Sequence, residues 1–388
     1  ISGESMIRQI MWGKNYFLKE FGQKIDNLWL PDVFGYSANL PQILKASGVD
    51  YFVTQKISWN QFNIFPHHTF MWRGIDGSEI LSHFLPANNY NGYVTPKELI
   101  AAEERFSEND VLDEFLYLYG IGDGGGGPKD DHIEYGRRLA DTEGSPKVKF
   151  AKASDFLTKI QSETANLERW VGELYLELHR GTLTSQAKIK QANRKLESWL
   201  KSLEALAAGL NYADYPHDQF QEIYPLLLVN QFHDIIPGSS IQLVYIEAHE
   251  KYTQAFAIAG QILALVSAKL CTSQSSNLLI FNPSGFAYDL PLELDLSYAN
   301  YQFISNGKVL KTQLFADKVV VGLNQEIAPY SWLNLEYMQA TLQPTEEIKG
   351  LVLENDLVRY SFAANGQIIE AYDKEQQFKF LTSGNQLN

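Results

Sequence analysis

The 388-residue sequence predicts a multidomain chain of three successive classes. These are an α/β region holding part of a parallel sheet, a three-helix bundle, and the start of an antiparallel β-sandwich. Three observations carry the prediction. Over residues 1–160 short apolar strands alternate with helical patterns, as they do when helices cover the faces of a parallel sheet. Over 161–270 apolar residues recur at helical spacing with short connections, which reads as a bundle. From 271 to 388 alternating, β-branched runs are split by Asn-Pro, Asn-Gly and Asp-Lys turns, which reads as antiparallel strands.

Each element follows in order. Residues 5–21 carry Met6, Ile10, Phe17 and Phe21 on a helical pattern, with Gly22 as C-cap. Residues 27–30 form a strand, 40–47 a helix ended by Gly48, and 51–54 the next strand. Further strands are expected at 79–84 and 115–120, and a helix at 132–142. In the bundle, 185–208 carries a stripe that includes Ala187, Ile189, Leu196, Leu200, Leu203 and Leu206. A second helix is expected at 218–233 despite Pro225, and a third, long one at 242–270. The linker CTSQSSN then leads to the β runs LLIFNPSGF, LPLELDL, KVVVGLN and LVRYSFAANGQIIEAYD.

Lys plus Arg number 32 and Asp plus Glu 46, a formal charge of −14. That balance argues against nucleic acid or an anionic membrane as partner. No uninterrupted apolar run approaches the roughly 20 residues of a membrane span. A single cysteine, Cys271, excludes an internal disulfide framework and a Cys-rich zinc site. One thiol suits a reducing, cytoplasmic setting. The chain opens without an initiator Met or signal peptide and closes without a terminal helix, so both ends are expected to be cuts through something longer. Apolar surface left on a shortened sandwich would favour a homo-oligomer.

Three stretches can carry chemistry. In LWLPDVFGYSANLPQ the run Leu28-Trp29-Leu30 reads as a strand, Pro31 stops it, and Asp32 follows. Ligands of α/β sheets gather beyond the carboxyl ends of strands. Asp32 is there either as a helix cap or ion-paired loop residue, or as a nucleophile or metal ligand. In YGIGDGGGGPKDDH the glycines after Asp123 let a bulky ligand approach the backbone, and no Gly-Lys-Ser/Thr follows to make a phosphate loop. In LLLVNQFHDIIPGSS, Asn230, Gln231, His233 and Asp234 make a polar cluster at the expected helix end. His67 and His68 are set aside, because adjacent side chains diverge on a strand. Glu177 and His179 read as structural, with Arg180 and nearby hydroxyls tying a turn. Among Trp29, Phe34, Trp59, Trp72 and Tyr90, mostly core by expectation, one or two beside Asp32 would give a sugar an aromatic wall.

LWLPDVFGYSANLPQILKASGVDYFVTQKISWNQFNIFPHHTFMWRGIDG closely resembles the catalytic core of glycoside hydrolase family 38 α-mannosidases. YGIGDGGGGP, GELYLELHRGTLTSQAKIKQANRKLE and NQFHDIIPGSS follow in that family's order. The resemblance covers nearly the whole chain, and the GDGGGG and ELHRGT forms resemble the bacterial and cytosolic branch. It implies a retaining exo-α-mannosidase that removes terminal mannose from α-mannoside oligosaccharides or glycans, with one divalent metal, normally Zn2+. Asp32 matches the nucleophile, which is also a metal ligand, and His233 matches a metal-binding His. Asp123 falls at the acid/base loop, where some members carry two consecutive Asp and this chain has Asp123-Gly124. Phe34 matches an aromatic beside the sugar and Asp234 a substrate-contacting acid. The chemistry agrees: a retaining glycosidase needs two carboxyl groups about 5–5.5 Å apart, one to attack and one to protonate the leaving oxygen.

The family completes its metal shell with a His-x-Asp pair, and no His here is followed two residues later by Asp. Asp32 and His233 would then be two of four ligands, with two more expected from a segment absent from this chain. An alternative reading is a catalytically incomplete, carbohydrate-binding remnant of the same fold. A metal-dependent polysaccharide deacetylase also uses Asp and His on an α/β scaffold, but has no use for a three-helix bundle followed by a β-sandwich.

Overall fold

Helix α1 (Gly3–Phe21) begins where Ser2 accepts a bond from the Ser5 N–H and ends where Gly22 takes φ 64°. A left-handed residue just past a helix satisfies its last carbonyls, and glycine adopts it without Cβ strain. The Gly22 end agrees with the sequence pattern, and the helix starts two residues before the expected residue 5.

The computed structural model describes residues 1–271, 277–340 and 350–381. The chain divides into two compact units, Ile1–Cys271 and Thr272–Asn388. Linker residues 272–276 lie outside the described residues.

The first unit is built on a five-stranded sheet. Its strands are β1 (Asn27–Trp29), β2 (Tyr51–Thr54), β3 (Thr69–Arg73), β4 (Glu79–Phe84) and β5 (Arg169–Val171), in spatial order β1-β2-β4-β3-β5. Helices α2 (Leu40–Ala46), α3 (Pro96–Arg105), α4 (Asp130–Arg138) and α5 (Ala153–Ile160) intervene. β1, β2 and β4 run parallel, β3 is antiparallel to β4, and β5 is parallel to β3. The sheet is therefore mixed rather than purely parallel, because β3 and β4 are joined by a tight turn at 74–78 instead of a helical crossover. Phe52, Phe70, Trp72 and Ile80 bury one face, and Tyr51, Val53, Leu81 and Leu157 the other. A sheet covered on both faces reads as continuous apolar sequence, which is why Tyr51–Thr54 shows no alternation.

Residues 115–120, expected as a strand, are not one. Tyr119 makes a single parallel bridge to Gly92, while Phe115, Leu116 and Leu118 pack against the second face of the core. The apolar run reported burial, and no neighbouring strand runs alongside it.

Helices α6 (Ala187–Ala207), α7 (His217–Val229) and α8 (Gln242–Leu270) share one core with Ile189, Leu196, Leu200, Ile223, Tyr252 and Ile262 at 5% exposure or less. α7 ends four residues before the expected 233. Asn230 folds its Nδ2 back onto Leu226 O at 2.9 Å, a local bond that competes with continued helix, and residues 230–238 run on as turns. An 18-residue stretch of α8 has mean hydropathy 1.3, enough by length and composition to cross a membrane. This corrects the expectation from uninterrupted runs. Its stripe Tyr245, Ala248, Tyr252, Ala255, Ile258, Ala259, Ile262 and Val266 is spent on the core with α6 and α7.

The second unit is antiparallel throughout its described strands. β7 (Leu292–Leu294), β10 (Thr312–Leu314) and β11 (Val319–Val321) form one sheet. β6 (Asn277–Phe281), β8 (Tyr301–Ser305), β9 (Lys308–Val309) and β12 (Trp332–Gln339) form a second. Leu292, Phe303, Val319, Val321 and Leu335 from both join one core. β13 (Val352–Glu354), β14 (Val358–Phe362), β15 (Ile368–Asp373) and β16 (Phe378–Lys379) make a third. The Asn306-Gly307 turn between β8 and β9 holds both residues at positive φ, 51° and 73°, as a two-residue hairpin of this twist requires.

Candidate active site

Leu30 N still bonds to Val53 O at 3.0 Å, so β1 stays beside β2 for one residue beyond its last ladder pair. Pro31 has no N–H to continue the pairing, and the chain turns. Tyr36 fixes that turn. Its buried hydroxyl donates to Leu30 O at 2.7 Å and lies 2.6 Å from Thr54 Oγ1, and burial pushes the phenol well above its ordinary range. Gly35, at φ 105°, passes so close to the 174–176 backbone that a Cβ would lie 3.2 Å from Leu174 O. The result places Asp32 past the carboxyl end of β1, next to the end of β2.

Lys56 comes from the turn after β2 (Lys56–Trp59), and it was missed in the sequence. Its Nζ stands 2.6 Å from Asp32 Oδ1, with the Lys side chain 4% exposed. The contact is a buried ion pair, and it neutralises the Asp32 oxygen it touches. The Trp59 ring lies 3.8 Å and the Phe34 ring 5.3 Å from the same ammonium, within reach of a cation–π attraction. A lysine inside YFVTQKISW was the available signal: a charge directly after five buried residues.

His179 closes this side. Its ring meets Phe34 at 4.8 Å and Trp59 at 6.3 Å between centroids, and its backbone sits at φ 54°. Burial and the Lys56 charge hold its imidazole below the ordinary histidine range, opposed by Asp32. His179, read as structural, packs on the two rings that border the Lys56 ammonium beside Asp32. The turn beneath it is tied by hydroxyls as expected, with Thr182 Oγ1 donating to His179 O at 2.6 Å and Ser185 Oγ to Gly181 O at 2.7 Å.

Tyr90 joins the other stretches. Its hydroxyl donates to Asp123, at 2.9 Å from Oδ1 and 3.0 Å from Oδ2. Gly122 runs against the Tyr90 ring, where a Cβ would come within 2.7 Å, so a larger residue would displace Asp123. Burial raises the Tyr90 phenol above its ordinary range. The Asp123 hydrogen bond and the negative charges of Asp32, Asp123 and Asp234 add to that shift. Of the three carboxylates singled out in the sequence, Asp123 bonds to this phenol, and Asp32 and Asp234 are near enough for their charge to act on it. His233 Nε2 lies 3.7 Å from Asp234 Oδ2, in turns beyond α7 rather than on the helix.

The structure thus pairs Asp32 with Lys56 beside Phe34, bonds Asp123 to Tyr90, and keeps Asp32 and Asp234 within electrostatic reach of that phenol, with His233 beside Asp234. Among the described residues no three His, Cys, Asp or Glu side chains form a metal cluster. His67 lies elsewhere, 3.3 Å from Glu108, and Trp72 is wholly core. Of the aromatic candidates, Phe34, Trp59 and Tyr90 border the site.

Comparison with known proteins follows the same division. The model of the glycosyl hydrolases family 38 N-terminal domain matches residues 1–173, and that of the alpha mannosidase middle domain matches 177–270. Alpha-mannosidase 2C1 of Mus musculus is 41% identical over 288 residues, 72% of this chain and 28% of the relative. Alpha-mannosidase of Saccharomyces cerevisiae is 33% identical over 413 aligned residues, 98% of this chain and 37% of the relative. The chain thus spans about a third of the length of these curated relatives. The crystal structure of an alpha-mannosidase from Enterococcus faecalis V583 shares the fold, with TM-score 0.74 and 21% identity over 98% of this chain and 51% of that one. With consecutive domain models matching over two thirds of its residues, the chain belongs to glycosyl hydrolase family 38.

Proposed function

We propose that the protein of which these residues are part is a retaining, metal-dependent exo-α-mannosidase acting on terminal mannose of α-mannoside oligosaccharides. The observation that carries this reading is Asp32, past the end of β1, paired with Lys56 beside the aromatic wall of Phe34 and Trp59, with Asp123 held by Tyr90. Relatives bearing the name α-mannosidase support the substrate class. In the same reading residues 1–160 are the catalytic domain, 161–270 a three-helix middle domain, and 271–388 the start of a β-sandwich. The setting is cytoplasmic.

In the first step an Asp32 oxygen attacks the anomeric carbon while the glycosidic bond breaks, and Asp123 gives its proton to the leaving oxygen. Water then attacks the same carbon, Asp123 takes its proton, and Asp32 leaves with mannose released. Lys56 complements the Asp32 carboxylate and holds it in one place. Phe34 and Asp234 bind the sugar.

Asp32, a carboxylate whose Oδ1 faces the Lys56 ammonium at 2.6 Å, and His233, an imidazole, are donors of the type that hold zinc. They supply two of the three or four protein ligands such a site uses, and the proposal takes the rest from outside residues 1–388. When bound, the cation supplies Lewis-acid stabilisation at the sugar hydroxyls.

In the full-length protein, Asp32→Ala is expected to lower turnover of an α-mannoside more than about a thousandfold, as loss of a covalent nucleophile does. Survival of a tenth of the rate would remove Asp32 from that role. A wild-type protein that binds mannose without hydrolysing α-mannosides would favour the carbohydrate-binding reading instead.

A further inference from the structure

Immediately after Trp59 the chain runs Asn60-Gln61-Phe62-Asn63 across the surface, and this segment is held with unusual thoroughness. The Glu177 carboxylate accepts from Phe62 N at 3.1 Å, from Asn63 N at 2.7 Å, and from Asn63 Nδ2. In return Glu177 N donates to Asn60 Oδ1 at 2.8 Å. Arg180 Nη1 donates to Gln61 Oε1 at 3.0 Å, and its guanidinium stands 5.9 Å from the Phe62 ring. Phe62 is nonetheless 74% exposed. An exposed phenylalanine is ordinary, but a surface loop commonly stays mobile, and here both backbone amides that flank the ring are anchored to one carboxylate. A ring offered to solvent on a fixed backbone is preorganised for a ligand, which avoids ordering costs on binding.

The position of the segment selects the ligand. Trp59, which starts it, covers the Lys56 ammonium at 3.8 Å, and that ammonium touches Asp32. Arg180, which holds the segment's other side, directly follows His179, whose ring meets Phe34 and Trp59. Phe62 is therefore one step outward from the wall of the Asp32 site, on the side where aromatic rings and guanidinium and amide donors come together. An apolar ring face with a few fixed polar groups is the chemistry of a saccharide site.

We propose that Phe62, with Arg180 and Gln61, forms a leaving-group subsite that stacks on the second sugar of an α-linked mannoside. This rests on the hydrolase reading of the Asp32 site and adds a specificity determinant to it. The test uses the full-length protein, with α-mannosyl fluoride, whose leaving group cannot reach Phe62, against an α-mannobiose. Phe62→Ala is expected to lower kcat/KM for the disaccharide about tenfold and to leave the fluoride unchanged. Glu177→Gln, which loosens the segment without touching sugar, should reproduce the contrast. Equal losses on both substrates, or none on either, would overturn the subsite. Calorimetric binding of mannobiose against mannose reads the same contrast without turnover. An inactive wild type that prefers the disaccharide through Phe62 would thus sink the hydrolase reading alone. A wild type with no such preference would sink the subsite.

Discussion

His83 lies on β4 with no exposed surface. Its Nδ1 is 2.9 Å from Thr69 Oγ1 on the neighbouring strand and its ring packs on Phe156 at 4.8 Å. Burial, reinforced by nearby His68, lowers its imidazole to about 3. The folded protein therefore refuses a proton that the unfolded chain accepts below about 6.5. Above that pH the contribution is complete, and it is lost progressively as pH falls from about 6.5 toward 3. At pH 5 the loss is about 2 kcal/mol. Urea unfolding followed by tryptophan fluorescence should show this between pH 7.5 and 5, and His83→Asn, which keeps a group near Thr69, should flatten the dependence. An unchanged pH slope in that variant would assign the acid sensitivity to other groups. Neither His83 nor Lys56 was legible in the sequence as a buried charge-bearing group, because residue type alone places lysine and histidine at the surface. Asp32 was legible, because Pro31 ends a strand directly before it.

At the scale of elements, α1 ties the sheet to the helices. Met6, Ile7 and Ile10 pack on the sheet core and Trp12 on the helical core. Polar bonds join the same elements: buried Glu197 on α6 accepts from Ser2 N at 2.7 Å, Ser5 Oγ at 2.8 Å and Gln231 Nε2 at 3.1 Å. Gln231 also donates to Asn193 Oδ1 at 2.9 Å and receives Gln9 Nε2 at 3.3 Å. Since Gln231 is two residues before His233, this network anchors the chain that carries the His233-Asp234 turn. Gln231→Leu would leave buried acceptors on Glu197 and Asn193 without their donor, costing about 1–3 kcal/mol. Turnover should fall at least about tenfold at temperatures where the variant stays folded, since small displacements of a positioned group are costly. Full kcat per folded molecule would make the network purely structural. The helices were readable from period and caps, as Gly22 and the stripe of α6 demonstrate. The α7 terminus was not, because Leu226 to Val229 continues the apolar pattern up to the point where Asn230 bends back on Leu226 O. Strand β3 was missed because its ladder partner β4, rather than its own pattern, makes Thr69–Arg73 a strand.

For the whole molecule the decisive quantity is the number of donors a cation would find. Asp32 comes from the sheet and His233 from beyond α7, and among the described residues no third His, Cys, Asp or Glu completes a cluster with them. Two protein ligands hold zinc weakly, since structural and catalytic sites use three or four. Binding stabilises a folded protein in proportion to how far the metal exceeds its dissociation constant, about 2.7 kcal/mol at a hundredfold excess. Residues 1–388 expressed alone should therefore keep well under one zinc per chain after dialysis, and added zinc should leave their melting temperature unchanged. The full-length protein should retain stoichiometric metal, melt lower after chelation, and recover turnover when zinc is restored. Stoichiometric zinc on the 388-residue chain would mean that other groups within it complete the shell.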